Sequence, residues 1–237
     1  MNSKEKMARV RSRRAKAQGQ PKSPSESART PLQRELIVRT ALGLVDREGL
    51  KALSMRRLGT ELGVDPMAVY YHLPNKQALL DAIVEAVMAS IDLTIDDPGK
   101  SPEERIIGAA RAYRDALLAH QRALPILLAH GPATPAALRP VELLIGILRD
   151  AGLGPADALA GMNLIAAAVR GAVGMGGLDA QRSEEFDAMW RMMAAGEFPR
   201  LAEALAVSEE SFERFFDFGI RTVARGLLAE SATSRYR

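Results

Sequence analysis

The stretch that decides the fold is residues 54–76, Ser-Met-Arg-Arg-Leu-Gly-Thr-Glu-Leu-Gly-Val-Asp-Pro-Met-Ala-Val-Tyr-Tyr-His-Leu-Pro-Asn-Lys. Its pattern predicts two short helices that cross at a steep angle. Gly59 is a small residue at the crossing, and Gly63 can adopt the positive φ that often ends a helix. Asp65 offers an N-cap oxygen, and Pro66 fits the first helical position. The stretch therefore fits helix-turn-helix geometry, in which the second helix enters the major groove of DNA.

The residues expected to face outward favour DNA binding over an ordinary helical hairpin. Hairpins with a glycine turn are common, so the spacing alone leaves both interpretations open. Tyr70, Tyr71 and His72 would be exposed, and aromatic rings gain little on a solvated face. Against DNA the same rings can contact phosphates, sugars and thymine methyl groups. Arg56 and Lys76 would flank them as phosphate contacts.

At these residues the chain resembles the TetR family of transcriptional regulators. The matching stretch extends from residue 32 to about residue 88. Its run Val-Tyr-Tyr-His-Leu-Pro-Asn-Lys-Gln-Ala-Leu-Leu-Asp-Ala at 69–82 is most similar to the tetracycline-repressor branch. The phrase Phe-Asp-Phe-Gly-Ile at 216–220 is similar to the final helix of that branch's C-terminal domain.

The resemblance implies a fold and a set of DNA contacts. The expected fold is all-α, with an N-terminal three-helix helix-turn-helix DNA-binding domain and a C-terminal helical ligand-binding and dimerisation domain. Because Pro66, Met67 and Ala68 are apolar, we expect van der Waals readout there and more of the base recognition from Arg56. The predicted DNA-binding residues are Ser54, Met55, Arg56, Pro66, Met67, Ala68, Tyr70, Tyr71, His72 and Lys76.

Composition agrees with a helical protein. The 237-residue chain has 5% aromatic residues, and it lacks the sustained alternation of apolar and polar residues that indicates strands. It contains no cysteine, which excludes disulfides and thiolate zinc sites. Its longest apolar stretch, residues 159–169, is about half a membrane span, and no apolar segment typical of a signal peptide lies near its start. We expect a cytoplasmic protein without a membrane partner.

The charge is distributed unevenly along the chain. Residues 1–34 contain ten Lys or Arg and two Glu, a net charge of +8, so the remaining residues sum to −5 within the total of +3. Residues 1–29 are basic and rich in Pro, Ser and Gln, and such a segment is expected to be disordered. It is either a solvating tail or a flexible arm that lies along phosphates or in the minor groove.

Capping residues and chain breakers divide the sequence into four parts. These are the arm (1–29), the helix-turn-helix domain (30–75), a connecting helix (76–95) and a ligand-binding and dimerisation domain (96–237). Predicted helices begin at Thr30-Pro31, Ser54, Asp65, Asn75 and Ser101-Pro102. Further helices are predicted over residues 124–130, 135–151, 155–177, 183–196 and 208–229.

Two predicted helices differ in composition from the others. The helix from residue 155 is rich in small residues, and the helix from residue 208 is apolar around much of its circumference. A helix this apolar must be covered, either by its own chain or by a second subunit. We favour a two-fold dimer, which in this family is a four-helix bundle. The predicted interface residues are Ala167, Gly171, Phe212, Phe216, Ile220, Val223 and Leu227.

The family places an effector pocket between the dimer helices and the first domain. The candidate ligand-binding residues are Met88, Tyr113, Leu117, His120, Leu127, Leu143, Ile147, Met162, Ile165 and Arg170. For each of them alone, core packing is the favoured interpretation. As a group, with Asn163 or Arg170 as a buried polar residue, they fit an apolar pocket with few anchoring groups. Met189, Trp190, Met192 and Met193 could form an adaptable lid over it.

The sequence departs from the magnesium–drug site of the tetracycline-repressor branch. Asp92, Leu127 and Met175 stand where that site would have two histidines and a glutamate. Because two of the three lack metal-binding chemistry, we predict no magnesium, no other metal and no cofactor. His120 and His130 are too isolated to indicate a metal site, and a hydrogen-bonded histidine is the simpler interpretation.

We therefore predict a ligand-responsive transcriptional regulator rather than an enzyme. It would be a repressor that binds double-stranded, palindromic operator DNA as a homodimer. A small apolar or aromatic effector would release it by favouring a conformation in which the two DNA-reading helices are wrongly spaced.

Two alternatives remain open at the level of the sequence. One is an architectural DNA-binding protein without ligand control, although the large C-terminal region argues against it. The other is an all-helical enzyme that binds a small molecule. Against the enzyme, His72, His120 and His130 lie far apart, and glycine-rich residues 171–177 lie in an Ala-rich helix rather than after a strand.

Overall fold

The structure, a computed structural model, describes residues 32–176, 192, 196, 198–207 and 212–234. Within these residues all regular secondary structure is helical, which confirms the all-α fold. The α-helices are α1 (Arg34–Glu48), α2 (Met55–Leu62), α3 (Pro66–His72), α4 (Lys76–Ala89), α5 (Pro102–Ala119), α6 (Leu124–Ala129), α7 (Pro135–Asp150), α8 (Pro155–Gly176), α9 (Pro199–Val207) and α10 (Phe212–Ser234). Short 3₁₀ turns at Leu50–Ala52 and Gln121–Ala123 precede α2 and α6.

Some predictions fall outside the described residues. They are the basic arm at 1–29, the helix start at Thr30-Pro31, and nearly all of the helix predicted at 183–196 with Met189, Trp190 and Met193. Within the described part, α1 begins at Arg34, and its N-cap residue Gln33 makes no side-chain capping bond.

The caps that the sequence predicts at α2 and α3 are confirmed. The hydroxyl oxygen of Ser54 accepts a hydrogen bond from the Arg57 N–H at 3.1 Å. The Asp65 carboxylate accepts one from the Met67 N–H at 2.7 Å, and Pro66 occupies the first turn of α3. Both helices are short, and these side chains satisfy N–H groups that have no partner inside the helix.

The turn between α2 and α3 depends on two glycines. Gly63 has a φ of 66°, in the left-handed region that glycine adopts without strain. A Cβ on Gly59 would lie 3.1 Å from the Val64 carbonyl oxygen and 3.2 Å from the Pro66 nitrogen. Glycine at these positions therefore lets the backbone reverse tightly and lets α2 approach the start of α3.

Helices α1, α2 and α3 share one apolar core. Each side chain buried there contributes about 1.5–3 kcal/mol relative to an exposed one. Its buried residues include Ile37, Leu44, Val45, Leu53, Leu58 and Val69. The core holds the outer side of α3 in a fixed orientation relative to the other two helices.

Helix α4 connects this core to the rest of the described chain. The Asn75 side chain caps it by accepting a hydrogen bond from the Ala78 N–H at 2.8 Å. Along its length α4 packs against α1 on one side and against α7 on another, with further contacts to α5 and α6. A shift of α4 would therefore alter its contacts with α1 and also its contacts with α5, α6 and α7.

A capping box and an ion pair stabilise the connection between α4 and α5. Ser101 and Glu104 form a capping box at the start of α5. The Arg105 guanidinium binds both carboxylate oxygens of Asp96, at 2.7 and 2.9 Å. These bonds hold the pKa of Asp96 below its usual range, so the carboxylate stays ionised and paired.

The C-terminal part is built around α8, which packs against α5, α7 and α10. Phe216 of α10 is buried, and the Arg114 guanidinium lies 4.6 Å from the centre of its ring. The Ser231 hydroxyl donates a hydrogen bond to the Ala151 carbonyl at 2.8 Å, which fixes the far end of α10. Within the described residues α8 is long and apolar enough to cross a membrane, but a packed core helix has the same composition.

Three helices differ from the sequence predictions. The connecting helix predicted at 76–95 is shorter, because α4 ends at Ala89. Helix α9 was not predicted, although Pro199 at its start and its Ala and Leu residues are typical of a short helix. Helix α10 extends to Ser234, beyond the predicted end at residue 229, and its buried Ser231 explains why the helix continues.

Candidate functional site

One side of α3 presents exposed aromatic and apolar side chains. Met67, Tyr70 and Tyr71 are 70%, 39% and 88% exposed, and their spacing places them on one side of the helix. Arg56 in the first turn of α2 and Lys76 at the start of α4 are also exposed. We call these five residues the reading surface. Exposed rings beside two cations are the combination expected at a nucleic-acid interface.

Ion pairs distinguish the cations near this surface. Arg57 donates hydrogen bonds to Glu48 at 2.9 Å and to Glu61 at 3.0 Å. Neither Arg56 nor Lys76 forms an ion pair within the described residues. Arg56 and Lys76 are therefore available to bind DNA, whereas the neighbouring Arg57 stabilises the fold.

The other predicted DNA contacts are partly or fully buried, or make contacts within the protein. Met55 is only 6% exposed, so its side chain belongs to the core and the prediction of a DNA contact by it does not fit the structure. The Ser54 hydroxyl is engaged in capping α2. The Tyr71 ring lies edge-on to His72, with ring centres 5.4 Å apart. Pro66, Ala68 and His72 are half-buried.

A cavity of about 300 Å³ lies on the inner side of α4. Its walls come from α4, the α4–α5 connection, α5, α6, the loop after α6, α7 and α8. Most of the lining is apolar, and the polar side chains are few, which is typical of a small-molecule site. The lining residues are Val84, Met88, Ile91, Asp92, Leu93, Ile95, Ala109, Ala110, Ala112, Tyr113, Leu127, His130, Gly131, Pro132, Leu138, Pro140, Val141, Leu143, Leu144, Met162, Asn163, Ile165, Ala166 and Arg170.

The cavity brings together most of the residues that the sequence predicts as ligand contacts. Those in its lining are Met88, Tyr113, Leu127, Leu143, Met162, Ile165 and Arg170, with Asn163 beside them. Leu117 and Ile147 are instead buried in the core, outside the lining. His120 also lies outside it, because its Nδ1 is 2.8 Å from a carboxylate oxygen of Asp46 on α1. These three positions do not fit the predicted role as ligand contacts.

Sequence reasoning missed the part of the lining that comes from connections between helices. Ile91, Leu93 and Ile95 in the α4–α5 connection alternate with more polar residues and turn toward the cavity. That alternation is a signal in the sequence, but it is too short to separate from an ordinary loop. Gly131 and Pro132 after α6 give no such signal.

Two polar groups of the cavity lining, Tyr113 and Arg170, interact electrostatically. Burial raises the pKa of the Tyr113 hydroxyl, while the charge of Arg170 and a hydrogen bond with it partly oppose the rise. Tyr113 therefore stays neutral at physiological pH and shares the cavity lining with the Arg170 guanidinium. The pair forms a polar, positively charged region in a largely apolar cavity.

A second polar contact connects the cavity wall to the start of α4. His130 lines the cavity, and its Nδ1 lies 2.8 Å from Nε2 of Gln77. Because the amide nitrogen is a donor, Nδ1 of His130 accepts this hydrogen bond. The same Gln77 nitrogen donates to Asp81 at 2.8 Å. Gln77 directly follows Lys76 of the reading surface, so the cavity wall contacts the first turn of the helix that carries Lys76.

The positions compared with the magnesium–drug site lie in different surroundings. Asp92 and Leu127 line the cavity, whereas Met175 is exposed on α8. Both the amide and the hydroxyl of Thr94 donate to one oxygen of Asp92 and hold the pKa of that carboxyl below its usual range. Within the described residues no three His, Asp or Glu side chains come together as metal ligands.

The structure changes which residues of α8 and α10 are candidates for a dimer interface. Phe216 and Ile220 are 1% and 2% exposed, so they belong to the core of their own chain. Leu227 packs against α8, where its methyl groups would lie 3.2 Å from a Cβ on Gly161. The interface predictions for these three residues do not fit the structure, and Phe212 and Val223 are half-buried.

Other residues of the same two helices leave an apolar surface uncovered. Phe215 and Phe218 of α10 are 50% and 73% exposed, and Leu159 and Leu164 of α8 are each 50% exposed. The predicted interface residues Ala167 and Gly171 are exposed between them and Met175. We call the exposed apolar residues of α8 and α10 the bundle surface, and they are Leu159, Leu164, Ala167, Gly171, Met175, Phe215 and Phe218.

Comparison with protein families gives matches to both parts of the chain. The family of bacterial regulatory proteins called the tetR family matches residues 37–83. The family described as the tetracyclin repressor-like C-terminal domain matches residues 96–231. The first match includes the reading surface, and the second includes most of the cavity and all of the bundle surface.

Individual relatives agree with these matches. The tetracycline repressor protein class C of Escherichia coli is 38% identical over 155 residues, which are 65% of this chain and 68% of that protein. An HTH-type transcriptional regulator of Saccharopolyspora erythraea is 29% identical, over 87% of this chain and 89% of its own. The structure of ActR from Streptomyces coelicolor has a TM-score of 0.76 and 29% identity, and covers 86% of this chain and 99% of that one. ActR has also been solved in complex with actinorhodin.

Proposed function

Because the chain belongs to the TetR family of transcriptional regulators, we propose that it represses transcription by binding a palindromic operator as a dimer and releases the operator when a small apolar or aromatic effector binds. The observation that carries the proposal is the position of α4. Its first residue, Lys76, belongs to the reading surface, and Val84 and Met88 further along it line the cavity. One rigid helix thus connects a DNA-binding surface to a ligand-sized cavity.

The reading surface supplies the proposed DNA contacts. Helix α3 enters the major groove, where Met67 and the tyrosines make apolar and phosphate contacts. Arg56 reads a base edge or a phosphate, because no carboxylate of the described residues competes for it. Lys76 binds a phosphate at the edge of the groove. This combination gives both sequence readout and positioning on the backbone.

The bundle surface supplies the proposed dimer contact. Apolar side chains of two helices are exposed on it, including Phe218 at 73%. Two copies related by a two-fold axis would bury these residues in a four-helix bundle, with Ala167 and Gly171 allowing close approach. A two-fold dimer places two α3 helices on successive half-sites of a palindrome.

Effector binding acts on DNA through a shift of population. A ligand that fits the cavity better when α4 is displaced favours the conformation in which the two reading surfaces no longer match successive grooves. The hydrogen bond between His130 and Gln77 connects the cavity wall to the first turn of α4. By linkage, the effector lowers operator affinity by the same factor by which the operator lowers effector affinity.

The cavity supports a small-molecule effector over ligand-independent DNA binding. Its volume of about 300 Å³ and its largely apolar lining fit an aromatic compound of moderate size. ActR, which has a similar fold, was solved with actinorhodin bound. An architectural protein would have no need of an apolar cavity beside α4.

The experiment that tests the proposal has two steps. Genomic fragments bound by the purified protein are selected and sequenced, and compounds are then screened for release of the selected fragment. We expect a fragment with dyad symmetry and at least one compound that releases it.

Gln77→Leu removes the bond to His130, so this variant should bind that compound normally but release the fragment at a higher compound concentration. Fragments without dyad symmetry, or a tightly bound cavity ligand that leaves operator affinity unchanged, would contradict the proposal.

A further inference from the structure

Arg170 differs in its ion pairing from three other arginines of the C-terminal helices. Arg105 pairs with Asp96 at 2.7 Å, and Arg111 pairs with Asp217 at 2.8 Å. Arg114 pairs with Glu213, also at 2.8 Å. Arg170 lines the cavity, and within the described residues no ion pair joins it to a carboxylate. A guanidinium that lines a cavity and has no carboxylate partner there is available to bind an anionic group of a ligand.

Tyr113 supplies a second hydrogen-bond donor for an anion bound at Arg170. Both side chains line the same cavity. Because burial raises the pKa of the Tyr113 hydroxyl by more than the charge of Arg170 lowers it, the phenol keeps its own proton. That O–H remains available as a second donor beside the guanidinium. An acid group in this position would receive hydrogen bonds from both side chains.

The other ionisable groups of the lining, Asp92 and His130, do not offer an equivalent site. Asp92 is ionised and accepts two hydrogen bonds from Thr94, so it repels an anion. His130 accepts its bond from Gln77. The rest of the lining is mainly aliphatic and suits the uncharged body of a ligand. The cavity is therefore polarised, with one place for negative charge at Arg170.

We propose that the cavity selects aromatic acids, whose carboxylate or acidic hydroxyl is bound by Arg170 and Tyr113. A carboxylate matches the fork of a guanidinium and forms two parallel hydrogen bonds with it. Selection of an acid over a neutral analogue is a property of the cavity itself. Only the statement that such an acid is the effector rests on the proposed function above.

The test compares acids with neutral analogues of the same shape. The probes are naphthalene-2-carboxylate, anthracene-2-carboxylate and anthraquinone-2-carboxylate, each paired with its carboxamide. Affinities are measured by calorimetry for the full chain, for Arg170→Gln and for Arg139→Gln. Arg139 is an exposed arginine on α7 outside the cavity lining, so its variant controls for the loss of one positive charge.

We expect at least one acid to bind the wild-type protein about tenfold or more tightly than its amide, as expected for a charge-assisted pair. Arg170→Gln should abolish this preference and leave the amide affinity within about twofold, and Arg139→Gln should change neither. Tyr113→Phe should reduce the preference about threefold or more, because one donor is lost. These variants should unfold at temperatures close to that of the wild type.

Several results would overturn the inference. One is that none of the three acids binds more tightly than its amide. Another is that Arg170→Gln weakens acid and amide equally, which would assign Arg170 a purely structural role. A selected acid that binds but does not release operator DNA would refute its role as effector while leaving selective acid binding established. Failure of operator binding itself would refute the proposed function instead.

Discussion

The N-terminal helices α1–α3 and the C-terminal helices α5–α10 differ in how far neighbouring residues in the sequence determine their structure. In the first part, the caps, the turn and the exposed rings all lie within residues 54–76, and each is determined by its neighbours in the chain. In the second part, the cavity draws on residues between 84 and 170, and α10 is apolar on several sides. Local chemistry therefore determines the proposed DNA-reading surface, whereas packing determines the proposed ligand cavity and dimer surface.

The largest expected effect concerns the bundle surface. Phe218→Glu places one negative charge per subunit in the proposed dimer interface. An uncompensated buried charge costs about 3–5 kcal/mol, so the dimer should dissociate at micromolar concentration. Sedimentation velocity would measure this directly. Leu128→Glu is the matched control, because Leu128 is 63% exposed on α6, outside the bundle surface. If both variants sediment like the wild type, the bundle surface is not the interface.

A second comparison sets the core of the N-terminal helices against the cavity wall. Leu58→Ala should lower the free energy of unfolding by about 2–5 kcal/mol, because Leu58 is fully buried. Leu143→Ala should cost less, about 1 kcal/mol, because Leu143 already borders empty space and is half-buried. Urea denaturation of the two variants gives the difference. Equal losses would mean that the cavity is as tightly packed as the core.

A third comparison uses two adjacent arginines. Arg56→Ala should weaken operator binding by about 1–3 kcal/mol, because Arg56 has no ion-pair partner in the described residues and is free to contact DNA. Arg57→Ala removes ion pairs with Glu48 and Glu61 on the protein itself and should change affinity by less than about 1 kcal/mol. Fluorescence anisotropy with the selected operator separates the two. A larger loss for Arg57→Ala than for Arg56→Ala would reverse the assignment.

The smallest effect concerns the N-caps of two helices. Asn75→Ala should destabilise the protein by about 1 kcal/mol, because the side chain accepts a hydrogen bond from Ala78 at 2.8 Å. Gln33 is the N-cap residue of α1 and makes no such bond. Gln33→Ala should therefore have no measurable effect on thermal unfolding. Equal shifts in the two variants would show that capping by Asn75 contributes nothing.

The sequence predicts the N-terminal helices nearly completely. Ser54, Gly63, Asp65 and Asn75 perform the capping and turn roles that their types and spacing indicate. Met55 is the exception. Its position in the first turn of α2 gives no indication that its side chain turns into the core, because that depends on how α1 and α2 pack together.

The sequence predicts the C-terminal helices only in part. Phe216 and Phe218 are two residues apart on α10 and have the same side chain, yet one is 1% exposed and the other 73%. The direction from which α8 and α5 approach decides between them, and no local pattern encodes that direction. Helix packing also decides why Met162 and Ile165 line the cavity. Ile147 is instead buried outside the lining.

The most direct test of the account measures operator affinity for the double variant Arg56→Ala, Tyr70→Ala against random competitor DNA at fixed salt. We expect the wild type to prefer the dyad-symmetric operator by about 10³-fold or more, and the double variant to lose at least about 100-fold of that preference. Leu143→Ala in the cavity wall should keep it. A double variant that still selects the operator as the wild type does would contradict the claim that α3 and its neighbouring arginine read the DNA.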